Sequence, residues 1–490
     1  MTFPVFSLLP ELTLCGGLVL LLLTPFFEKR ASDGSSCVSC TTCSGKIVFI
    51  IVQVVLWLAI FFICAQGVGE ARVTMQALLL RSSLTQALQI AALVATSVAL
   101  FYALSSLVRD KLLNAETFIL LLCTLLGVLT VISATHLILI YLGIELMSLP
   151  LYAMVALRKK HLPAAESALK YFFLGALASG LLLYGFSLIY AATGAMSIFD
   201  IGRQTGSTTL FMLGMIFVLV GMMFKLSVVP FHMWAPDVYQ GAPTFITLYI
   251  STVPKFAAVI LLLRLLSSPL ASLTIYWQSI LVVLAALSMI LGAVAAILQT
   301  NIKRMLAYST IGHMGYLLLG VLTGSTAGYS ASLFYILVYA ITNLVAFGVL
   351  LSMVTEESDN DGLGDFRGLY QRSPLRALLM GAAMFSLAGI PPFIGFFGKF
   401  AVIEVAFNSG FFWLSIIAIL TSVIAAFYYL RVVLLMFFAE PEASATKNFT
   451  RAPLSMVLLS GNGLALLVLG IFPNAILGWL VYVVAQTPIF

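Results

Sequence analysis

Charged side chains are scarce in this sequence. Only 9% of its 490 residues are Asp, Glu, Lys or Arg, whereas 62% are hydrophobic, and soluble globular proteins carry roughly 25% charged residues. The 24 basic and 18 acidic side chains cannot cover a water-facing surface on a chain of this length. Composition therefore excludes a soluble enzyme, a secreted disulfide scaffold and a nucleic-acid-binding protein, and it indicates an integral membrane protein.

Motifs for nucleotides and redox cofactors are also missing. The sequence has no P-loop, no dinucleotide-binding glycine fingerprint and no HExxH motif. One loop, with Cys37, Cys40 and Cys43, has the spacing of the first three ligands of a bacterial ferredoxin cluster. The fourth ligand would fall on Ile47, so we expect no iron–sulfur cluster there, and the role of these cysteines stays open. We predict no cofactor and no metal in this chain.

Long apolar runs, by contrast, fill the sequence. A transmembrane helix needs about 20 mostly apolar residues, and none of the alternating segments of about 10 residues that build a membrane β-barrel occurs. The runs cover residues 5–27, 47–66, 86–108, 115–134, 137–156, 165–192, 209–229, 243–266, 274–298, 303–322, 329–354, 377–406, 411–438 and 454–483. They predict an all-α polytopic membrane protein of about 14 transmembrane helices. The first helix is expected to be retained, because it lacks the basic start and the cleavage site of a signal peptide.

Basic residues are distributed unevenly between alternate loops. If the N-terminus lies outside, 16 of them fall on the inner side and only four, Arg72, Arg81, Arg203 and Arg264, on the outer side. Inner loops are enriched in Lys and Arg in membrane proteins, so both termini are predicted to face the periplasm or its equivalent. The acidic stretch at residues 356–361 is expected to be a solvated face.

A few charges lie inside the apolar runs rather than in loops. These residues are Lys170, Lys225, Lys255, Lys399, Glu145 and Glu404. Charges within the membrane are costly and by default mark an ion or proton path. Lysine suits proton storage because it can release its proton, which arginine does not do.

Two of these lysines adjoin predicted helix breaks. Lys225 precedes Pro230 on the seventh helix, and Lys399 follows Pro391 and Pro392 on the twelfth. Proline breaks a helix, and interrupted helices at corresponding ranks are typical of transport sites. Equal rank predicts two five-helix repeats, helices 4–8 and 9–13, inverted because five is odd. The predicted units are 1–112 (helices 1–3), 113–268 (first repeat), 269–440 (second repeat) and 441–490 (helix 14).

Each candidate site residue also has a structural interpretation. Glu145 and Lys225 could form a proton switch or a buried structural ion pair. Lys170 could take part in a relay or pair with Glu166 one turn away. His313, on the tenth helix, could be a relay group or a satisfied core residue.

Residues 224–243, which read FKLSVVPFHMWAPDVYQGAP, carry a specific resemblance. They resemble the antiporter-like subunit N family (subunit 2) of proton-pumping NADH-quinone oxidoreductase, respiratory complex I. Supporting segments are YLGIELMSLP at 141–150, QTNIKRMLAYSTIGHMGY at 299–316, SLAGIPP at 386–392 and GFFGKF at 395–400. The resemblance covers residues 115–440, whereas the first hundred residues match no pattern of the family.

The resemblance implies fourteen helices with inverted repeats and broken helices 7 and 12. It places the family's proton-relay positions on Glu145, Lys225, Lys255, Lys399 and His313. It implies a subunit that moves protons by a Glu/Lys/His relay, driven by quinone reduction in partner subunits that hold flavin, iron–sulfur clusters and quinone. Expected partners are the lipid bilayer, the neighbouring antiporter-like subunit M and small membrane subunits, but no nucleic acid.

The resemblance leaves alternatives open. A subunit of a multisubunit Na⁺/H⁺ antiporter shares these motifs, and a scaffold with vestigial charges is a further alternative. The electron donor, NADH or ferredoxin, and the number of protons per turnover cannot be read from this chain. The expected location is a bacterial inner (plasma) membrane, with a mitochondrial inner membrane as the alternative.

Overall fold

The structure is predominantly helical. The computed structural model describes residues 5–31, 38–67, 72–74, 78–159, 161–203, 209–355, 359–441, 449 and 453–487. Within these ranges, eleven helices are long and apolar enough to cross a membrane. The prediction of an all-α polytopic membrane protein is confirmed. The cysteine loop cannot be compared with its prediction, because Cys37 and the side chains of Cys40 and Cys43 lie outside the described residues.

Every predicted apolar run coincides with a helix or with a pair of helices. The helices are α1 Val5–Ala31, α2 Val38–Ala65, α3 Ser83–Arg109, α4 Ala115–Ser133, α5 Leu137–Val155, α6 Leu162–Thr193, α7 Ile198–Gly202, α8 Thr209–Leu226, α9 Trp234–Gly241, α10 Thr244–Ser267, α11 Thr274–Ile297, α12 Ile302–Val321, α13 Thr326–Met353, α14 Leu369–Arg372, α15 Pro374–Ala388, α16 Ile394–Asn408, α17 Phe412–Phe437, α18 Pro453–Ile471 and α19 Asn474–Ala485. The seventh run ends at a break between α8 and α9, the twelfth is divided into α15 and α16, and the fourteenth into α18 and α19.

Polar residues set the starts of several helices. Ser82 and Thr85 form a capping box at the start of α3, and the side chains of Asn114, Asn301 and Ser325 accept hydrogen bonds from the first-turn N–H groups of α4, α12 and α13. These caps satisfy backbone donors that have no partner within the helix. They explain why the helices begin within a few residues of the predicted runs.

Helices α10 and α13 form the centre of the protein. Every residue in the most apolar stretch of α10 is buried, whereas only 28% of the corresponding stretch of α18 is buried. The outer helices α6, α17 and α18 instead expose large apolar side chains such as Phe173, Phe427 and Leu464. Such a surface is compatible with lipid, while the enclosed helices contact only protein.

A short β-hairpin precedes α3. Strand β1, Arg72–Thr74, pairs antiparallel with strand β2, Leu79–Arg81. Arg81 is 7% exposed, and its guanidinium donates two hydrogen bonds of 2.7 Å to the carboxylate of Glu11 on α1. Arg81 therefore ties the hairpin to the first helix.

The two halves share a backbone bridge at a constant spacing. His136, before α5, bridges Ser197, and Asn301, before α12, bridges Gly362. Both partners of the second bridge lie 165 residues after those of the first. This recurrence is a likeness between the two predicted repeats. Their inversion, and the unit boundaries given above, stay predictions.

The two helix breaks also have the same local structure. The residue that follows α8, Ser227, has φ 64°, and the residue that follows α15, Gly389, has φ 83°. In each break a cis X–Pro bond follows, ending at Pro230 and Pro392. The backbone N–H groups of Val228 and Ile390 both donate to the carbonyl five residues before them, as in a Schellman motif. A spacing of 162 residues relates the two breaks.

The prediction of a solvated face at residues 356–361 is wrong for the part that the structure describes. Asp359 is 16% exposed and contacts Arg109 and Arg158 at 2.5 Å each. Burial alone would raise the pKa of Asp359, but the hydrogen bond from Arg158 and the charge of Lys303 hold it well below its usual range. Asp361 pairs with Lys303 at 3.1 Å. Asp359 and Asp361 thus form ion pairs with nearby arginines and a buried lysine.

Arg264, which the distribution of basic residues assigns to the outer side, is buried. It is 1% exposed within α10. Its three guanidinium nitrogens have no hydrogen-bond partner among the described residues.

Candidate functional site

Two buried lysines have the same pair of contacts. Lys255, on α10, donates to the carbonyl of Lys225 at 3.1 Å and to the hydroxyl of Ser227 at 3.0 Å. Lys399, on α16, donates to the carbonyl of Ala388 at 2.9 Å and to the hydroxyl of Ser422 at 3.1 Å. Each ammonium thus lies at the C-terminal end of the half-helix before a break, where carbonyl groups favour a cation.

Neither ammonium has a carboxylate partner among the described residues. Lys255 is 1% exposed and Lys399 is 5% exposed. Aromatic faces complete their surroundings, with Trp234 5.8 Å from the Lys255 nitrogen and Tyr316 5.1 Å from that of Lys399. Because only neutral groups hold them, the protons on these lysines are not fixed by an ion pair.

Lys225, at the end of α8, contacts the helix that carries Glu145. Its ammonium donates to the hydroxyl of Ser148 at 2.6 Å, and Ser148 lies three residues after Glu145 on α5. In the described part of the chain, no ion pair joins Lys225 to Glu145, and one buried carboxylate oxygen of Glu145 has no hydrogen-bond partner. Lys225 therefore contacts the helix of Glu145 through Ser148 and not through the Glu145 carboxylate.

His313 lies in a hydrogen-bonded group of tyrosines. Its Nδ1 is 2.6 Å from the hydroxyl of Tyr335 on α13, and its Nε2 is 3.0 Å from the hydroxyl of Tyr429 on α17. His313 and Lys399 line one cavity of about 10 Å³. The structure thus brings the predicted histidine beside the predicted lysine of the twelfth helix.

Lys170 does not lie with the other candidates. It is 44% exposed and forms ion pairs of 2.7 Å with Glu166 and with Asp237. Arg304, on α12, contacts the other oxygen of Asp237, also at 2.7 Å. Lys170 is therefore part of a partly exposed ion-pair group that joins α6, α9 and α12.

Lys225 and Lys399 occupy different places relative to their breaks. Lys225 lies two residues before Ser227, whereas Lys399 lies ten residues after Gly389. The position ten residues after Ser227 is Asp237. Lys225 and Lys399 thus lie on helices of equal rank in the two predicted repeats. By its hydrogen bonds, however, Lys399 corresponds to Lys255.

Sequence reasoning missed the neutral residues of the site. The serines that hold the lysines are Ser148, Ser227 and Ser422, and the residues that surround His313 include Ser309, Tyr335 and Tyr429. Only Ser148 could have been found from a local pattern, because it lies three residues after Glu145 and therefore on the same face of the helix. The other contacts join residues about 20 to 120 positions apart, which no local pattern reveals. Among the described residues, no group of three or more His, Cys, Asp or Glu side chains could hold a metal ion.

Comparison with protein families gives an extended match. Residues 134–425 match the family described as NADH:quinone oxidoreductase/Mrp antiporter, TM. The NADH-quinone oxidoreductase subunit N of Laribacter hongkongensis is 47% identical over 387 residues, which cover 78% of this chain and 80% of the relative. The range that matches the family includes the segments around both helix breaks.

Solved structures have the same fold. A chain of respiratory complex I from Thermus thermophilus superposes with a TM-score of 0.79 at 32% identity, covering 96% of this chain and 98% of that one. A chain of the Mrp complex from Dietzia superposes with a TM-score of 0.84 at 20% identity, covering 99% and 98%. The second likeness concerns the fold alone.

Proposed function

The chain belongs to the NADH-quinone oxidoreductase subunit N family, and from this premise we propose that it moves protons across the membrane as a subunit of NADH:quinone oxidoreductase. The observation that carries the proposal is the pair of buried lysines, Lys255 and Lys399, each held by a serine hydroxyl and by a carbonyl at the end of the half-helix before a break. A lysine held by neutral groups can exchange its proton when the charge of its surroundings changes.

The relay begins near Glu145 and Lys225. A proton from the inner side reaches Lys225, whose ammonium contacts Ser148. Lys255 follows, because it donates to the carbonyl of Lys225 itself. The proton then passes through His313 to Lys399 and leaves on the outer side. A neighbouring subunit changes the charge at Glu145. This change makes Lys225 pass its proton to the next group.

Lys170 has a supporting role in this scheme. Its partly exposed ion pairs with Glu166 and Asp237 fix the position of α9, the short helix after the first break. The protons of the relay therefore pass through the buried lysines and not through Lys170.

Partner subunits supply the energy. Quinone reduction drives the relay, and flavin, iron–sulfur clusters and quinone belong to other subunits of the complex. The neighbouring antiporter-like subunit M and small membrane subunits contact this chain within the membrane. The membrane is a bacterial inner (plasma) membrane. A Na⁺/H⁺ antiporter subunit is the less favoured function, because the relative at 47% identity is an NADH-quinone oxidoreductase subunit N, whereas the Mrp chain is 20% identical.

The test is proton pumping by the assembled complex in membrane vesicles. Lys225→Ala and Lys225→Arg are compared with wild type, and assembly is checked by native gel electrophoresis. We expect both variants to assemble and to lose pumping by about 10-fold or more, because neither can store and release a proton. Normal pumping by both assembled variants would make Lys225 a structural charge and would overturn the relay.

A further inference from the structure

Helix α11, which belongs to the second predicted repeat, contacts the first break. The hydroxyl of Ser288 on α11 accepts a hydrogen bond of 3.0 Å from the backbone N–H of Val229. Val229 lies two residues after Ser227, whose hydroxyl binds the Lys255 ammonium. Ser288 is 0% exposed and Val229 is 6% exposed, so a protein group and not bulk water must satisfy the Val229 N–H.

The Ser288 hydroxyl is oriented by its own helix. It donates its proton to the carbonyl of Leu284, 2.7 Å away and one turn earlier on α11. The lone pairs of the hydroxyl oxygen then remain available to accept from the Val229 N–H. Ser288 therefore acts as an acceptor toward the break, and α11 fixes the direction of that contact.

The two breaks differ at this position. The spacing of 162 residues that relates them places Pro391 where the first break has Val229, and proline has no N–H to donate. In the second break the N–H of Gly395 donates to the hydroxyl of Ser386 at 3.2 Å, and Ser386 lies on α15, the half-helix before the same break. The serine that binds the second break thus comes from the same repeat, whereas the serine that binds the first break comes from the other repeat.

Helix α11 also contacts the surroundings of His313. Met289, the residue after Ser288, lines the cavity beside His313. The backbones of α11 and α12 touch at this level, because a Cβ on Gly292 would lie 2.5 Å from the backbone nitrogen of Gly312. The position of Ser288 is therefore fixed against the helix that carries His313.

We propose that Ser288 is a positioning residue through which the second repeat sets the geometry of the first break and thereby the place of Lys255. Without the Ser288 hydroxyl, the buried Val229 N–H has no acceptor, which is costly, so the break must rearrange. Ser227 and the Lys225 carbonyl, the two groups that bind Lys255, then move with the break. Ser288 itself carries no proton of the relay. The part of Lys255 in that relay belongs to the proposed function, on which this inference rests.

The first measurement is hydrogen exchange in the whole complex, followed by mass spectrometry on peptides that span residues 224–233. Ser288→Ala removes the acceptor, and we expect the Val229 amide to exchange about 10-fold faster. Ser288→Thr and Ser288→Val have nearly the same shape and differ in the hydroxyl. Ser288→Thr should keep the wild-type exchange and Ser288→Val should exchange like Ser288→Ala, which separates loss of the acceptor from crowding by an added methyl group.

The second measurement is proton pumping by the same variants in vesicles, with assembly checked by native gel electrophoresis. Ser288→Ala and Ser288→Val should slow pumping about 5-fold, because the groups that bind Lys255 are displaced, and Ser288→Thr should restore it. The matched control is Ser279→Ala on the same helix. The Ser279 hydroxyl also donates to the carbonyl one turn earlier, but it is exposed, so this variant should exchange and pump like wild type.

Two results would overturn the inference. Unchanged exchange of the Val229 amide in Ser288→Ala would show that the hydroxyl does not hold the break. Equal exchange and pumping in Ser288→Thr and Ser288→Val would assign their effects to packing.

The comparison with Lys225→Ala separates this inference from the proposed function. Normal pumping by Ser288→Ala, in an assay where Lys225→Ala has lost pumping, rejects the positioning role and keeps the proposed function. Normal pumping by Lys225→Ala as well rejects the proposed function and, with it, the role of Ser288 in transport.

Discussion

The Lys255 ammonium donates a hydrogen bond to the backbone carbonyl of Lys225, 3.1 Å away. Two lysines of successive transmembrane helices are thus linked through the backbone of one and the side chain of the other. The carbonyl belongs to the last turn of α8, directly before the break, so the position of Lys255 depends on the helix end that carries Lys225.

Lys255→Met should therefore abolish most pumping while it keeps most of the length of the side chain. The methionine cannot donate to the Lys225 carbonyl or to Ser227, and it cannot carry a proton. We expect a loss of about 10-fold or more, measured as the pumping rate of assembled complex in vesicles. Wild-type pumping by Lys255→Met would contradict the role of Lys255, and Leu261→Met, on the same helix and 1% exposed, is the control.

Lys170→Met should have little effect on pumping. The side chain is 44% exposed, and exposed ion pairs contribute at most about 1 kcal/mol to stability. Lys399→Met, which changes a buried lysine in the same way, should reduce pumping strongly in the same assay. If Lys170→Met loses as much pumping as Lys399→Met, Lys170 takes part in the relay.

Asp359→Ala should destabilise the protein by about 3 kcal/mol, because it removes one partner from two largely buried arginines. The depressed pKa of Asp359 means that its stabilisation is present above the usual range of an aspartate and is lost only as the pH falls through the lowered value. Thermal unfolding of the purified wild type should therefore show no pH dependence from this group between about pH 5 and 8.

The control for this substitution is Asp200→Ala. Asp200 is 59% exposed and pairs with an arginine that is 81% exposed, so its loss should leave the unfolding temperature nearly unchanged. Equal unfolding temperatures for the Asp359 and Asp200 variants would show that the ion-pair group at residue 359 contributes no stability.

Gly395→Ala should disturb the second break. A Cβ at this position would lie 1.8 Å from the Ser386 carbonyl oxygen, so α16 must move away from α15 at a cost of about 1–3 kcal/mol. Lys399, four residues on, would move away from the Ala388 carbonyl. We expect a lower unfolding temperature and slower pumping.

Gly461→Ala, on α18, has open space around the new methyl group and serves as the control. If Gly395→Ala pumps and unfolds like Gly461→Ala, the close approach of α15 and α16 is not needed for the site.

The helices and the buried charges could be predicted from the sequence, because both depend on local composition. Apolar runs of membrane length predicted the helices, and proline beside Lys225 and Lys399 predicted both breaks. The contacts of the lysines were not predictable, because Ser422 and Ala388 come from helices whose packing is set by the whole fold. The acidic stretch was misinterpreted for the same reason, since the arginines that bind Asp359 lie 201 and 250 residues away.

The enclosure of α10 has a consequence for biosynthesis. Lys255 lies near the middle of α10, where a charge costs about 2.5–3.5 kcal/mol when the helix enters lipid alone, and Arg264 adds a second buried charge in the last turn. Helices α3 and α4, which pack against α10, leave the ribosome before it and can receive it, whereas α13, against which α10 packs most extensively, is made later. A nascent chain that ends before α13 thus leaves one flank of α10 without its partner helix.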